Sequence, residues 1–361
     1  MNIAFFGSSL VSAYWNGAAT YYRGIVRELH ERGHSVTFYE PDAYERQKHR
    51  DLADPPWARV VVYGAEDEGP VRAALAEARQ ADMIIKASGV GVFDELLEAA
   101  VLELKRPNNL VVFWDVDAPA TLDRVQQDSL DPFRQLIPCY DCILTYGGGA
   151  PVVDAYTALG ARGCYPIYNA LDPLTHYPVA PEPRFAGLCS FLGHRLPDRE
   201  ARVEEFFFTC AAALPKERFV LGGNAWGDKA MPANVAYVGY VSPREHNAFN
   251  ASPRALLNIN RGSMARYGFS PPTRVFEAAG AAACLITDAW QGIDLFLQPG
   301  EEVLVAADGK AVVEHLVDLT DARAGAIGRA ARRRVLAHHT YHHRVLELEK
   351  ILDIQHKERS G

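Results

Sequence analysis

The sequence predicts an α/β protein built from two doubly wound units, each a mostly parallel sheet covered by helices. Short apolar runs such as "NIAFFG", "NLVVFWD" and "DCILTYG" alternate with segments of helical periodicity. This alternation is typical of parallel strands that are buried on both faces. It is interrupted once, by the proline-rich stretch "NALDPLTHYPVAPEP", and then restarts. The 361 residues are enough for two domains of ordinary size.

The first predicted domain covers residues 1–172. Residues 173–182 are predicted to be a linker, because their prolines exclude a continuous helix or a central strand. The second domain covers residues 183–325, with candidate strands in "GLCSFLG", "ERFVLGG", "RALLNIN" and "ACLITD". Two such units on one linker predict an interdomain cleft. Since ligands of open α/β sheets bind beyond the carboxyl ends of the strands, the cleft is the expected site.

The composition excludes several classes of partner. The net charge is -8 and no basic tract stands out, so nucleic acid is not an expected partner. No polybasic patch and no long apolar run is present, so stable membrane insertion is not expected. The N-terminus is interpreted as a strand, and six cysteines do not make a disulfide framework in a chain of this size. A cytoplasmic protein is therefore expected.

The segment "GFSPPTRVFEAAGAAACLITD" offers an anion site. Ser270 is predicted to cap a helix whose first turn contains the two prolines that follow it. The amides of Thr273 and Arg274, with the guanidinium of Arg274, would then bind a diphosphate. Glu277 lies one turn deeper, where a carboxylate would repel phosphate but accept hydrogen bonds from the two hydroxyls of a ribose. The alternative is an Arg–Glu pair on a solvated helix face.

Two more arginines follow the first strand of the second domain, in "FLGHRLPDREARVEEFF". Arg195 and Arg199 are candidates for contact with a diphosphate, because cations can neutralise a phosphate leaving group. Arg195 is preferred because it lies in the loop directly after the strand. The alternative for Arg199 is an exposed helical position, paired with Asp198 or Glu200.

Four segments resemble those of GT-B glycosyltransferases. "RVFEAAGAAACLITD" resembles their donor-binding segment, and "FLGHRLPDREARVEEFF" resembles the strand, basic loop and helix that open their second domain. "YNALDPLTHYPV" resembles their linker, and "HTYHHRVLELEKIL" resembles their final helix, which crosses back to the first domain. The resemblance covers most of residues 165–355. The closest type is the spore-maturation (CgeB-like) glycosyltransferase family.

The resemblance implies a GT-B fold in which the second domain binds a nucleotide-diphosphate sugar, with Glu277 on the ribose. The helix at 340–357 is then expected to pack on the first domain, which would present the acceptor, and Asn16 and Gly17 would line the cleft floor. Neither a metal nor a further cofactor is implied. The acceptor is expected to be a small molecule, a glycan or a protein. Phe269 stands where many retaining enzymes of this type carry a second glutamate, so a retaining mechanism does not follow from the resemblance.

The segment "LVVFWDVDAP" allows two interpretations. Its Asp-x-Asp pattern matches the metal–diphosphate motif of GT-A glycosyltransferases, in which paired carboxylates bind a divalent ion. In a GT-B frame the two carboxylates instead lie at a strand end, where one could take the proton of the acceptor hydroxyl. Asp117 is the preferred base, and Asp115 is the second candidate, with a capping role as its alternative.

The histidines of "AHHTYHHR" are interpreted as cap and surface residues rather than metal ligands. The sequence therefore predicts a metal-independent glycosyltransferase. A nucleotide-sugar epimerase of the same fold is one alternative. A non-catalytic nucleotide-sugar-binding module is the other, suggested by Phe269.

Overall fold

The computed structural model describes residues 1–360, apart from the side chains of Ser263, Ile354 and residues 356–360. The chain divides into two compact units. The first comprises Met1–Tyr168 together with the C-terminal helix that begins at Tyr341. The second is the continuous segment Asn169–Thr340, which includes the predicted linker.

The first unit contains a seven-stranded parallel sheet in the order β3-β2-β1-β4-β5-β6-β7. Its strands are β1 Asn2–Phe6, β2 Ser35–Pro41, β3 Arg59–Tyr63, β4 Met83–Ala87, β5 Leu110–Asp115, β6 Cys142–Thr145 and β7 Cys164–Pro166. Its helices are α1 Ala19–Glu31, α2 Glu68–Ala78, α3 Asp94–Ala100, α4 Ala118–Gln127, α5 Pro132–Leu136 and α6 Gly149–Ala158, with 3₁₀ turns at Val101–Leu104 and Ile137–Cys139. The strand order reverses between β1 and β4.

The central strands show why this sheet is parallel. Every residue of β4 and β5 is buried, so both faces of these strands are covered. The apolar runs "MIIKA" and "LVVFWD" fit this environment because they are apolar on both faces instead of alternating.

The second unit contains a six-stranded parallel sheet in the order β10-β9-β8-β11-β12-β13. Its strands are β8 Gly187–Leu192, β9 Phe219–Gly222, β10 Val235–Gly239, β11 Pro253–Asn258, β12 Leu285–Asp288 and β13 Leu304–Ala306. Its helices are α7 Pro197–Val203, α8 Thr209–Ala213, α9 His246–Ala251, α10 Gly262–Tyr267, α11 Thr273–Gly280, α12 Gly309–Asp318 and α13 Asp321–His338. A π-helical turn at Glu204–Phe208 joins α7 to α8, and 3₁₀ turns lie at Pro183–Phe185, Pro243–Glu245 and Ile293–Leu295. Here the order reverses between β8 and β11.

A buried apolar core fixes the second sheet against its helices. The π-helical turn contributes Phe206, Phe207 and Phe208, which pack with the buried side chains of β8, β11 and β12. The two sheets share one strand order, and the predicted fold class of two doubly wound parallel-sheet domains is confirmed.

The final helix, α14 Tyr341–Ser360, packs on α1 of the first unit. Its first residue lies against Gly24 of α1, where an added Cβ would come within 2.2 Å of the Tyr341 ring. Glycine at this position therefore permits the close approach of the two helices. None of the helices in the described part of the chain combines the length and the apolar character that a membrane span needs.

Candidate functional site

The strand-order reversal of the second unit marks the place where a ligand is expected. In open parallel sheets, ligands bind beyond the carboxyl ends of the strands at this point. In the second unit these ends lead into the loop that starts at Gly193, after β8, and the loop at 259–261, after β11. Arg199 lies in the first turn of α7, which follows the first loop, and Arg261 is the last residue of the second loop.

Among the residues that the structure describes, no carboxylate forms an ion pair with Arg199. Its guanidinium donates to the carbonyl of His194 at 2.5 Å and lies over the Phe191 ring at 5.6 Å, while its buried Nε has no hydrogen-bond partner. Burial and, to a smaller extent, the positive charges of Arg261 and Arg274 together lower the pKa of Arg199 to about 10, against the attraction of Asp198. A bound anion would relieve this charge.

Arg195 has the opposite environment, which favours Arg199 over Arg195 as the contact for a diphosphate. Its guanidinium forms ion pairs with Asp228 at 3.0 Å and with Glu200 at 2.7 Å. Two carboxylates already neutralise this cation, so it has little charge left for a diphosphate. Glu200, which the sequence offered as one possible partner of Arg199, forms its ion pair with Arg195 instead.

Arg261 and Arg274 complete the cationic group. Asp198 pairs with Arg261 at 2.7 Å, and not with Arg199. Arg274 donates to the amide oxygen of Asn250 at 3.0 Å and lies 3.4 Å from Glu277. The site therefore collects three guanidinium groups, of which Arg261 pairs with Asp198 and Arg274 lies in ion-pair contact with Glu277.

The helix that carries Arg274 and Glu277 begins later than predicted. Its N-cap is Pro272, with φ -63° and ψ 156°, and its first helical residue is Thr273. Ser270 is buried but is not the cap, and the prolines precede the helix. The physical reason is that Pro271, which would be the first helical residue after a Ser270 cap, is itself followed by a proline and is therefore disfavoured in the helical region. The amides of Thr273 and Arg274 remain those of the first helical turn.

Glu277 lies on the buried face of this helix and not on a solvated one. Only 8% of the Glu277 residue is exposed, and this burial by itself would raise the pKa of the carboxyl group. The charge of Arg274, with smaller contributions from His176 and His246, outweighs burial and holds the pKa at about 2. Glu277 is therefore an ionised acceptor beside the arginine group.

Two histidines that the sequence did not single out adjoin Glu277. The Nε2 atom of His176 lies 3.9 Å from its Oε1, and the ligand atoms of His176, His246 and Glu277 all lie within 4.8 Å of one another. Burial lowers the pKa of His246 to about 4, so its imidazole is neutral at pH 7. The two histidines are 70 positions apart in sequence, so no short-range pattern indicates their proximity.

In the first unit, the surroundings of Asp115 indicate a structural role for its carboxylate. It is fully buried, and its carboxylate accepts hydrogen bonds from the hydroxyls of Ser88, Thr121 and Tyr156 and from the amide of Asp117, at 2.5–3.0 Å. Burial raises the pKa of this group above its ordinary value. These contacts favour the capping alternative over a catalytic role, because the carboxylate has no exposed oxygen to offer an acceptor.

Asp117 lies two residues further on and is exposed. It is the N-cap residue of α4, but its side chain makes no capping hydrogen bond. No third His, Cys, Asp or Glu gathers with Asp115 and Asp117 among the residues that the structure describes.

Asn16 and Gly17 differ in their surroundings. The Asn16 side chain is buried, donates to the carbonyls of Ser9 and Ser12, and accepts from the Ser8 hydroxyl at 2.9 Å. It therefore holds the loop between β1 and α1 together. Gly17 faces open space, since an added Cβ would meet nothing within 4 Å.

The part of the chain that carries the arginine group and Glu277 matches a known protein family. Residues 199–350, which carry the three site arginines and Glu277, match the family model described as glycosyl transferase-like. Comparison with curated protein sequences gives no match.

Solved structures match along nearly the whole chain. Anabaena HepE in complex with UDP-glucose has a TM-score of 0.68 at 14% identity, covering 98% of this chain and 99% of that one. Sucrose-phosphate synthase from Thermosynechococcus elongatus has a TM-score of 0.67 at 15% identity, covering 98% of both chains. An alpha-glucosyltransferase in complex with UDP-glucose and abasic DNA has a TM-score of 0.69 at 12% identity, covering 98% and 99%.

The chain has the GT-B glycosyltransferase fold. Together with the family match, this fold supports the predicted enzyme class, a glycosyltransferase. The family match extends from α7 into α14, so it covers the part of the chain in which the arginines and Glu277 come together.

Proposed function

We propose that this GT-B protein transfers a sugar from a nucleotide-diphosphate sugar to an acceptor, without a metal ion. The donor binds the second unit beyond the carboxyl ends of β8 and β11. The motifs shared with the spore-maturation (CgeB-like) family support assignment to that subfamily.

The observation that carries the proposal is the environment of Arg199. Its charge is unpaired, its Nε lacks a partner, and its pKa is lowered by burial and by two neighbouring arginines. A diphosphate supplies the negative charge and the acceptor oxygens that this group lacks. In the reaction, the same cations stabilise the charge that develops on the leaving nucleotide, which is the role that a metal ion would otherwise fill.

Glu277 is assigned to the ribose. Its ionised carboxylate lies one helical turn beyond Thr273 and Arg274, the residues proposed to meet the phosphates with their amides. A carboxylate in this position would repel a phosphate but accept two hydrogen bonds from the ribose hydroxyls. The sequence order of phosphate contact and then ribose contact matches the order of these groups in a nucleotide sugar.

Asp117 is assigned as the base that accepts the proton of the acceptor hydroxyl. It is exposed at the carboxyl end of β5, whereas the carboxylate of Asp115 is occupied by hydrogen bonds. The acceptor is proposed to be a small molecule, a glycan or a protein. Because HepE and the alpha-glucosyltransferase were solved with UDP-glucose, UDP-glucose is the first donor to test.

Calorimetry with UDP and uridine separates the two halves of the proposed donor site. Arg199→Gln is expected to weaken UDP binding about 10- to 150-fold, the usual effect of losing a hydrogen bond to a charged group. Its affinity for uridine should not change. Arg195→Gln is the matched control and should bind UDP as the wild type does, because Asp228 and Glu200 neutralise Arg195. Wild-type UDP affinity in Arg199→Gln would refute the diphosphate assignment.

Glu277→Gln is expected to weaken binding of both UDP and uridine by about 1–3 kcal/mol, because both ligands carry the ribose. Unchanged affinity for both would remove Glu277 from the donor site. Metal independence is tested by turnover in EDTA, where activity is expected to persist. Complete loss with rescue by manganese would contradict it.

A further inference from the structure

We propose that His176, His246 and Glu277 form a binding site for a zinc-type transition metal ion, and that the bound ion excludes the nucleotide. The metal site itself is independent of the proposed function. Only the exclusion of nucleotide rests on the proposed contact between Glu277 and the ribose.

The three ligand atoms have suitable spacing. They lie within 4.8 Å of one another, and the gap between His176 Nε2 and Glu277 Oε1 is 3.9 Å, too long for a direct hydrogen bond. An ion in the plane of three atoms with such separations would lie at most about 2.8 Å from each, against about 2.0–2.2 Å in zinc sites. Because the ligand atoms of a tetrahedral zinc ion lie about 3.4 Å apart, the side chains would have to approach one another by up to about 1.5 Å on binding.

The outer contacts of the histidines present the correct lone pairs. Nδ1 of His176 lies 2.9 Å from the Thr175 hydroxyl, which leaves Nε2, the atom nearest Glu277, as the potential ligand. The backbone of Val241 accepts a hydrogen bond from His246, which leaves the other ring nitrogen available. Metal-ligating histidines almost always donate their second N–H in this way, and such contacts fix the tautomer and the ring orientation.

The carboxylate also has an outer contact. Arg274 approaches Oε2 of Glu277 at 3.4 Å, and therefore leaves Oε1, on the side of His176, for a metal ion.

The types of ligand atom in the cluster indicate which metal ion it would bind. Two imidazoles and one carboxylate with an open fourth position suit zinc, whereas magnesium prefers oxygen ligands and retained water. The metal would use the carboxylate that is proposed to bind the ribose, so metal and nucleotide cannot bind together. The ion would therefore inhibit the enzyme, in contrast to a metal that assists catalysis.

The first test is metal binding to the full chain after treatment with a chelator. Elemental analysis of dialysed protein is expected to give one zinc per chain, and cobalt should give the absorption bands of a four-coordinate site. His176→Gln and His246→Gln should lose this binding, while circular dichroism verifies that they are folded. His342→Gln is the matched control, because His342 pairs with Glu28 at 2.5 Å and belongs to the rival group of histidines near the C-terminus. Equal metal binding in the His176 and His246 variants, or none in the wild type, would overturn the proposal.

The second test is competition. With free zinc at ten times its own Kd, the apparent affinity for UDP is expected to fall about elevenfold in the wild type. His246→Gln should show no such fall, which also controls for zinc that binds to UDP in solution. If the histidine variants abolish metal binding but zinc leaves UDP affinity unchanged in the wild type, the metal site stands and its exclusion of nucleotide is refuted, together with the placement of the ribose at Glu277.

Discussion

Replacing Glu277 by glutamine removes a carboxylate that lies close to Arg274, His176 and His246. The pKa of Glu277 is lowered from 4.5 to about 2 in the folded protein, so folding favours its ionised form. A shift of this size corresponds to about 3 kcal/mol of stability at pH 7. Because the folded pKa is lowered, this stability is complete above pH 4.5 and is lost as the pH falls through 2.

The expected pH dependence is specific. The free energy of unfolding of the wild type should exceed that of Glu277→Gln by about 3 kcal/mol at pH 7, and the difference should fall to about 2 kcal/mol at pH 3.5. Urea denaturation of both proteins between these pH values, without nucleotide and with EDTA, measures it. Glu314→Gln is the control, since Glu314 is 63% exposed beside Lys310, and its effect should stay within about 0.5 kcal/mol.

Two results would refute the reasoning. A difference below about 1 kcal/mol at pH 7 would mean that Glu277 is not stabilised by its neighbours, because surface positions commonly give effects of that size or less. A difference that stays constant or grows towards pH 3.5 would show that its folded pKa is not lowered.

Three further predictions concern single substitutions. Asp117→Asn should lower kcat about 10²–10⁴-fold with donor affinity unchanged, and near-wild-type kcat would place the base elsewhere. Asp115→Asn should instead destabilise the fold by about 1–3 kcal/mol, because an amide group cannot accept all the hydrogen bonds that the buried carboxylate accepts; a wild-type melting temperature would contradict this. Gly280→Ala should cost about 1–3 kcal/mol, since its Cβ would lie 2.4 Å from the Leu171 side chain and 2.8 Å from the His176 carbonyl, and an unchanged unfolding midpoint would show that these neighbours move aside.

The fold class was predictable because it depends on local pattern. Short apolar runs such as "MIIKA" and "LVVFWD" indicate strands that are covered on both faces, and both strands are buried throughout. The two prolines after Ser270 were also a local signal, but they were predicted to lie inside the first helical turn, whereas the helix begins after them. The second proline disfavours a helical conformation for the first, so the helix cannot begin at Pro271.

The site was less predictable because it depends on which charges meet in space. The sequence position of Arg195, directly after the strand, favours it over Arg199, and only the fold brings Asp228, 33 residues away, onto Arg195. The proximity of His176 and His246 to Glu277 depends on three separate segments of the second unit. Short-range spacing contains no information about such contacts, whereas Arg274 and Glu277 share one helix and could be paired from the sequence alone.

The position of α14 has a consequence for synthesis of the protein. The second unit is a continuous segment, but the first unit needs residues from both ends of the chain. Because domains fold as their residues leave the ribosome, we expect Asn169–Thr340 to complete its fold before the unit that was translated earlier. Until the last helix emerges, the surface of α1 around Gly24 has no Tyr341 to cover it. Pulse proteolysis of chains that end at residue 340, held on the ribosome by a C-terminal linker long enough to fill the exit tunnel, should therefore cut the N-terminal unit and spare the later one.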